Sequence, residues 1–211
     1  MLKSQMKRPL IFILTGPSGS GKTTIRKELK RRFRDFFFSV SATSRRARKG
    51  ERDGVDYFFL TKEEFRSWEK AKKFLETVRR YGNYYGTPKE PLLAALKEGR
   101  NCLLALEPSG VKRIKSLFPD NSITILIQPP SEREIIRRLL TRSPEERERR
   151  LREDRKLFSA FPCDYLVLND NLKEAVEKIS KIIKKELKLR DGAVIDWKTP
   201  PRMHSLIKER S

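Results

Sequence analysis

Residues 9–24 read PLIFILTGPSGSGKTT, an apolar run followed directly by a glycine-rich turn. The run over residues 10–14 has no polar side chain, which predicts a strand buried on both faces of a sheet. Residues 16–23 then have the spacing G-x-x-x-x-G-K-[ST], and a basic amphipathic helix is predicted over residues 23–33. A loop of this spacing between a strand and a helix is typical of a phosphate-binding site. The sequence therefore predicts that the protein binds a nucleoside triphosphate.

The residue types of this loop explain how it would hold phosphate. Glycines let backbone amides approach phosphate oxygens without Cβ clashes, and the N-terminus of the following helix adds positive potential. Lys22 is expected to reach the β- and γ-phosphates. The Thr23 hydroxyl is expected to hold Mg²⁺, whose other ligands are mostly ATP phosphates and water. The predicted ATP-binding loop comprises Gly16, Pro17, Ser18, Gly19, Ser20, Gly21, Lys22, Thr23 and Thr24.

Beyond the loop, short apolar runs alternate with helical patterns. This alternation predicts an α/β fold, a P-loop NTPase-type three-layer fold with a parallel core sheet. Ser131 followed by Glu134 predicts a capping box at the start of one helix. Further strands are predicted over residues 36–40, 101–106, 122–127 and 165–168, and helices over 62–72, 88–98, 109–117, 131–140, 147–158 and 172–187.

The composition is strongly basic. The 211 residues include 49 Lys and Arg against 28 Asp and Glu, a net charge of +21. Such a surface attracts nucleic acid, acidic membranes or phosphorylated small molecules. Heavy use of Lys, Arg and Glu is equally typical of a heat-adapted protein. Composition leaves both interpretations open, although we favour the thermophilic one because no RNA-reading motif or aromatic platform is evident.

Cysteine and histidine usage excludes several classes of protein. Cys102 and Cys163 form no C-x-x-C pair and His204 is the only histidine, so zinc fingers and thiol redox motifs are excluded. Cys102 lies in an apolar run and is predicted to be a buried structural thiol. We interpret the compartment as the reducing cytoplasm. No apolar run approaches the ~20 residues that span a bilayer, so no membrane association is predicted.

A second basic segment follows the second predicted strand. Residues 39–57 read SVSATSRRARKGERDGVDY, with Arg45 and Arg48 three apart and Tyr57 downstream. Arginine forks suit a phosphate dianion better than lysine does. A second phosphate site opposite a triphosphate loop is what a nucleoside monophosphate kinase requires. Taken alone, however, the same arginines also fit a solvated or RNA-binding charge run.

From residue 8 to residue 187 the chain resembles the guanylate kinase family. The motifs occur in the family order: GPSGSGKTT, FSVSATSRRARKGERDGVDYFF, FLETVRRYGNYYGTPKE, ILIQPPS and DYLVLNDNL. The resemblance implies transfer of the ATP γ-phosphoryl group to GMP, giving ADP and GDP, with Mg²⁺. It also implies a domain over residues 1–190, with a core at 8–40, 99–131 and 159–190, a small GMP-binding subdomain at 41–98 and a helical lid at 132–158. Residues 191–211 would form a tail, either a frayed end or a segment whose Trp197 packs on the domain or a partner.

The resemblance implies a role for each residue of the acceptor site. Glu76 would accept from guanine N1–H and the 2-amino group, a donor pair that adenine lacks. Thr87 would contact guanine O6, and Asn169 would lie near the adenine of ATP. The GMP phosphate would be clamped by Arg45, Arg48, Tyr57 and Tyr84. The full implied GMP-binding set is Ser41, Arg45, Arg48, Glu51, Tyr57, Glu76, Tyr84, Thr87 and Glu107.

The lid would bring arginines to the transferring phosphoryl group. Charge spreads over its equatorial oxygens, so catalysis is positioning and electrostatics, with no general base. A solvated charged helix explains the same arginines, and both interpretations can hold at once. The implied catalytic set is Lys22, Arg45, Arg138, Arg142 and Arg150.

The chain departs from the family pattern at three places. The family run D-x-D-x-Q-G is here ALEPSG, so Ala105 replaces an acid near Mg²⁺ and the loop lysine, and Glu107 replaces the second Asp. The interval from Arg142 to Arg150 is about three residues shorter than in the family. The interval from Glu76 to Tyr84 is one residue shorter.

Two other functions remain open on the sequence, and neither accounts for every motif. A related kinase would act on another phosphorylated acceptor, such as ribose bisphosphate. A non-catalytic guanylate-kinase-like domain would bind phosphopeptides, but such domains typically lose the loop, and Lys22 and Thr23 are intact here. Nucleic acid is not a predicted partner, and the protein is expected to be a monomer or a homodimer.

Overall fold

The computed structural model describes residues 8–140 and 143–190. Its elements alternate between strand and helix along most of the chain. In chain order they are β1 (Ile11–Thr15), α1 (Lys22–Arg32), β2 (Phe37–Phe38), β3 (Ala42–Thr43), β4 (Phe58–Phe59), α2 (Lys62–Lys70), β5 (Phe74–Arg80), β6 (Asn83–Pro88), α3 (Lys89–Lys97), β7 (Cys102–Ala105), α4 (Pro108–Leu117), β8 (Ser122–Gln128), α5 (Glu132–Arg138), α6 (Pro144–Phe158), β9 (Tyr165–Leu168) and α7 (Leu172–Arg190).

The core sheet has five parallel strands in the order β2-β7-β1-β8-β9. Strand β1 lies at its centre, paired with β7 on one side and β8 on the other. All five β1 residues are buried, as the apolar run predicted. Since every neighbouring pair is parallel, all the strands end at the same edge, where the loop after β1 lies.

Helices cover both faces of this sheet, and alternate strand residues face each layer. Phe12 and Leu14 of β1 pack with Ile25 of α1 and Ile179 of α7. On the other face, Ile11, Ile13 and Leu104 pack with Leu92 and Leu96 of α3 and Ile114 of α4. The predicted three-layer α/β fold with a parallel core sheet is therefore confirmed.

A second sheet of four strands, in the order β4-β3-β6-β5, was not predicted as strands. Its main part is the antiparallel β5–β6 hairpin, in which Arg80 pairs with Asn83. The two turn residues between them, Tyr81 and Gly82, have φ values of 49° and 78°. Left-handed conformations at both central residues are typical of a type I′ hairpin turn, which matches the twist of the flanking strands.

Several predicted boundaries were wrong by a few residues. The strand predicted over residues 36–40 covers only Phe37–Phe38, helix α5 ends at Arg138, and α6 begins earlier than predicted, at Pro144. Only half of the predicted capping box forms. The Ser131 hydroxyl accepts from the backbone of Glu134, but the Glu134 carboxylate binds arginines on its own helix instead.

Two further observations bear on the sequence predictions. Cys102 is fully buried, as predicted, and burial raises the pKa of its thiol to about 12. Across residues 8–140 and 143–190, no helix combines the length and apolar character needed to cross a membrane. The predictions for Arg142, Trp197 and the 191–211 tail fall outside the described residues.

Candidate active site

The predicted phosphate loop connects β1 to α1 at the carboxyl edge of the core sheet. Two of its glycines have no room for a side chain. A Cβ on Gly16 would lie 2.2 Å from the Ile127 carbonyl oxygen, and one on Gly21 would lie 2.3 Å from Asn169 Nδ2. Both also have positive φ, 151° and 93°. The path of the loop therefore depends on glycine at these positions.

Lys22 lies inside the curve of the loop. Its Nζ donates hydrogen bonds to the carbonyl oxygens of Gly16 and Pro17. Burial lowers the pKa of this ammonium group, whereas the negative charges of Glu107 and Asp154 oppose that shift. The lysine thus carries its charge to the position where a bound anion would contact the loop.

A cavity of about 470 Å³ separates the phosphate loop from the second sheet. It brings together residues from distant parts of the sequence, including predicted donors for both a triphosphate and an acceptor. The loop side is lined by Ser18, Gly19, Ser20, Gly21, Lys22, Thr23 and Thr24, and the opposite side by Ser41, Arg45, Arg48, Glu51, Tyr57, Glu76 and Glu107. Arg138 and Arg150 also line it.

Arg45 is held in place by Glu51. Its two terminal nitrogens donate to the two carboxylate oxygens of Glu51 at 2.9 and 3.0 Å, a bidentate pair. Glu51 also accepts from the backbone N–H of Arg48 at 2.8 Å. The Arg45 guanidinium lies 5.3 Å from the centre of the Tyr57 ring. These contacts hold a cation and a phenol side by side in the cavity lining.

Tyr84 does not line the cavity, so the structure does not bring it to the predicted phosphate clamp. Its ring stacks on Phe65 of α2, with centroids 5.4 Å apart, on the opposite face of the second sheet. Successive strand residues face opposite sides, so Tyr85 lines the cavity instead. The interval from Glu76 to Tyr84 is one residue shorter than in the family, whereas the interval from Glu76 to Tyr85 has the family length.

Glu76 lines the cavity, and the predicted contact residue Thr87 lies fully buried behind it, outside the lining. The Thr87 hydroxyl donates to Glu76 Oε1 at 2.6 Å across the β5–β6 ladder. Gly110, in the first turn of α4, approaches so closely that a Cβ there would lie 2.8 Å from Glu76 Oε2. Burial raises the pKa of this carboxyl group, and the negative charge of Glu107 adds to the shift.

Asn169 lies behind the phosphate loop and is 4% exposed, outside the cavity lining. Its side-chain amide donates to the Ser20 carbonyl at 2.7 Å. Arg138 connects the same region to the lid, since its guanidinium donates to the carbonyl oxygens of Gly19 and Asn169. The Asn169 side chain therefore supports the loop, and its contact with the adenine of ATP stays a prediction.

Sequence reasoning missed three residues where the hairpin meets the lid helix. Arg80 and Tyr81 line the cavity from the hairpin, and Asp154 of α6 accepts a hydrogen bond from the Ser18 backbone N–H at 2.8 Å. Ala105 lines the cavity without an acid, and the negative charges that act on Lys22 come from Glu107 and Asp154. A carboxylate from the lid thus approaches the loop.

The residues at the loop fit a magnesium ion held mainly by substrate. Within the described residues no cluster of three or more His, Cys, Asp or Glu forms a metal cage. Thr23 lines the cavity at the start of α1 and offers a hydroxyl oxygen there. One protein hydroxyl beside phosphate and water oxygens is a donor set that Mg²⁺ accepts.

A glycine-built phosphate loop and an arginine clamp that face each other across one cavity define a P-loop kinase of small phosphorylated acceptors. The comparisons with known proteins narrow this class. The Guanylate kinase family model matches residues 6–186. The chain therefore belongs to the guanylate kinase family.

Individual relatives agree with this assignment. The chain is 39% identical over 196 residues to a guanylate kinase of Oceanobacillus iheyensis, covering 91% of this chain and 95% of that protein. It is 41% identical over 180 residues to one from Clostridium perfringens, covering 83% of each. The crystal structure of guanylate kinase from Anaplasma phagocytophilum superposes with a TM-score of 0.69 at 27% identity, covering 98% of both chains.

Proposed function

We propose that this protein transfers the γ-phosphoryl group of ATP to GMP, giving ADP and GDP. A phosphate oxygen of GMP forms the new bond to the γ-phosphorus as the bond to the β,γ-bridging oxygen breaks, and ADP leaves with that oxygen. The observation that carries the proposal is the single cavity shared by the phosphate loop, the arginine clamp and the carboxylate of Glu76.

The acceptor side supplies phosphate binding and base selection. Arg45, Arg48, Tyr57 and Tyr85 hold the GMP phosphate through charge-assisted and neutral hydrogen bonds. Ser41 lies near the guanine end, and Glu51 keeps Arg45 oriented. Glu76 accepts from the two adjacent donors of guanine. The Thr87 hydroxyl holds the Glu76 carboxylate in place by donating to its Oε1. Adenine lacks that donor pair, so AMP would leave Glu76 without the two donors that guanine supplies.

The donor side supplies electrostatic stabilisation of the moving phosphoryl group. Lys22 leaves the two loop carbonyls and contacts the β- and γ-phosphates. Arg138 and Arg150 come from the lid, and we retain Arg142 in the same role. Their charges oppose the charge that develops on the equatorial oxygens, and closure of the lid excludes water that would otherwise accept the phosphoryl group.

We further propose that Mg²⁺ accompanies ATP, with Thr23 as its protein ligand. When bound, the ion neutralises charge on the β- and γ-phosphates. Glu107 lies two residues after Ala105, the position where the family has its first acid. It is the acid near this end of the strand. Its part is to balance the charge of Lys22 rather than to complete a cage.

The remaining expectations belong to the same proposal. The enzyme would serve purine nucleotide metabolism in the cytoplasm, as a monomer or homodimer, without nucleic acid as a partner. Its basic, Lys- and Arg-rich composition fits a thermophilic protein. The division into a core at 8–40, 99–131 and 159–190, a GMP-binding subdomain at 41–98 and a lid at 132–158 belongs to the proposal. The second sheet supports a separate subdomain as far as β6, whereas α3 (Lys89–Lys97) packs on the core sheet and belongs with the core.

A coupled assay of ADP release tests the proposal. MgATP is offered with GMP, AMP, CMP or UMP at moderate and high temperature. Turnover with GMP alone is expected, because only guanine satisfies Glu76. Turnover with another nucleotide in preference to GMP, or only with ribose bisphosphate, would overturn the acceptor assignment. ATP binding without any turnover would indicate a binding domain.

A further inference from the structure

The turn of the β5–β6 hairpin meets the lid helix α6 at a buried cluster of charges. Arg80, at the end of β5, has a side chain that is 7% exposed. Its Nη2 donates to Asp154 Oδ1 of α6, and its Nη1 lies 3.2 Å from Glu153 Oε2 of the same helix. Its Nε lies 3.3 Å from Glu107 Oε2, which precedes α4. One guanidinium thus contacts both the core and the lid.

Asp154 extends these contacts to the phosphate loop. Its side chain is 5% exposed. Oδ2 accepts from the Ser18 backbone N–H at 2.8 Å, while Oδ1 also accepts from the Tyr81 hydroxyl at 2.7 Å. A single carboxylate therefore joins the acceptor-side hairpin, the lid helix and the loop that holds the triphosphate.

Arg150 depends on the same docking. It lies four residues before Asp154 on α6, so both side chains project from one face of the helix. Its guanidinium lies 3.9 Å from the centre of the Tyr81 ring and donates to Ser18 Oγ at 3.1 Å. When Asp154 binds the hairpin turn, Arg150 is brought against the phosphate loop.

Because these charges are buried, the docking of α6 on the hairpin turn depends strongly on both Arg80 and Asp154. If one partner is removed by substitution, the other can stay docked only as a buried charge without its counterion, which is strongly unfavourable. If α6 moves away, Arg80 keeps Glu107 but loses both lid carboxylates. The Arg80–Asp154 pair therefore favours the arrangement in which the lid lies on the hairpin.

We propose that Arg80 is a positioning residue for phosphoryl transfer: by pairing with Asp154 it docks helix α6 on the hairpin turn and so fixes Arg150 and Ser18 at the phosphate loop. The inference rests on the proposed function and adds to it a coupling between the acceptor subdomain and the lid. Arg80 acts through Asp154 and Arg150, not by contacting the reacting atoms.

The test compares Arg80→Met, Asp154→Asn and the double variant with the wild type. Arg79→Met is the matched control, because Arg79 faces the opposite side of β5 and lies near Tyr84. Misplacing a catalytic group costs about 10- to 100-fold in rate, so each single variant should lower kcat by that factor. The KM values for ATP and GMP should change by less than about threefold, and the double variant should be no slower than the slower single variant.

Hydrogen–deuterium exchange gives a readout that does not depend on turnover. With a non-hydrolysable ATP analogue bound, the backbone amides of residues 145–158 in α6 should exchange faster in Arg80→Met than in the wild type or Arg79→Met. A purely structural role would instead lower the thermal midpoint and raise exchange throughout the core sheet. If Arg80→Met fails to fold, Arg80→Lys replaces it, with an intermediate loss of kcat expected because one ammonium cannot serve three carboxylates.

Three results would overturn the inference. Multiplicative losses in the double variant would mean that Arg80 and Asp154 act independently. Unchanged exchange in α6 would mean that the pair does not dock the lid. A rise in the KM for GMP with unchanged kcat would place Arg80 in the acceptor site itself. If the wild type does not phosphorylate GMP, the proposed function fails, while the exchange experiment still decides the docking.

Discussion

The phosphate loop and the acceptor pocket face each other across one cavity but are held in shape in different ways. The loop is built from backbone, since Gly16 and Gly21 leave no space for side chains and their amides and carbonyls define the curve. The acceptor pocket is instead built from pairs of side chains that hold each other in place. Examples are Arg45 with Glu51 and Thr87 with Glu76.

This difference has consequences for the effects of mutation. A backbone-built site keeps its shape when a side chain is removed, so the loss falls on the chemistry that side chain performs. In a site built from paired side chains, one substitution also releases the partner and leaves it buried without a hydrogen bond. We therefore expect substitutions in the loop to change kcat and substitutions in the acceptor pocket to change the KM for GMP.

Lys22→Ala should have the largest effect. Loss of its charge at the β- and γ-phosphates should lower kcat by about 10³-fold, a size typical of a single preorganised electrostatic group. The thermal midpoint should change little, because Lys22 donates only to two carbonyls of its own loop. Steady-state assays and thermal unfolding measure both quantities. Lys30→Ala, on the exposed side of α1, is the control, and a comparable loss there would contradict the role of Lys22.

Arg45→Ala should mainly affect the acceptor. It removes a bidentate guanidinium from the GMP phosphate and leaves Glu51 without that partner. Charge-assisted hydrogen bonds of this kind contribute roughly 1.5–3 kcal/mol, so the KM for GMP should rise by about 10- to 100-fold. The KM for ATP should stay within about twofold. Arg46→Ala, whose side chain is exposed, is the matched control, and an equal rise in both KM values would contradict the division between the two sites.

The two adjacent tyrosines offer a sharper test of the pocket. Tyr85→Phe removes a phenol that lines the cavity, and one neutral hydrogen bond contributes about 1 kcal/mol, so the KM for GMP should rise about fivefold. Tyr84→Phe removes a hydroxyl on the face of the second sheet that is turned away from the cavity. It should change the KM for GMP by less than twofold. A larger rise in the KM for GMP in Tyr84→Phe than in Tyr85→Phe would return Tyr84 to the phosphate clamp that the sequence predicted.

The phosphate loop could be predicted from the sequence, but the acceptor pocket could be predicted only in part. Tyr84 and Tyr85 show why. The loop depends on the local order of glycines, lysine and threonine, all of which the sequence displays. Choosing between Tyr84 and Tyr85 requires knowing that this segment is a strand and which of its faces is turned to the cavity. The role predicted for Thr87 could have decided the choice. Residues two apart on a strand share a face, so Tyr85 lies on the same face as Thr87.

The lid contacts were beyond sequence reasoning for a different reason. Arg80 and Asp154 are 74 positions apart and each resembles an ordinary surface charge in its own segment. Their pairing becomes visible only when the hairpin turn and α6 are brought together in space. The type I′ turn at Tyr81 and Gly82 was readable in principle, since a short turn with glycine between alternating residues predicts a hairpin.

The smallest expected effect concerns the pH dependence of the pocket. Burial raises the pKa of Glu76, so this carboxyl group takes up a proton at a higher pH than an exposed glutamate does. Guanine recognition requires the ionised form as a double acceptor. As the pH falls from neutrality through the raised pKa, acceptor capacity is lost, and the KM for GMP should rise several-fold.

The GMP phosphate also titrates near pH 6, so the wild-type profile alone does not isolate Glu76. Glu76→Gln separates the two groups, because it removes the carboxyl titration and leaves that of the phosphate unchanged. Its KM for GMP should be higher than the wild-type value at pH 8, and the ratio of the two should narrow as the pH falls. A constant ratio above one would mean that Glu76 does not titrate in this range, whereas a ratio near one at every pH would mean that the selectivity for guanine depends on Thr87 and the shape of the pocket rather than on the Glu76 carboxylate.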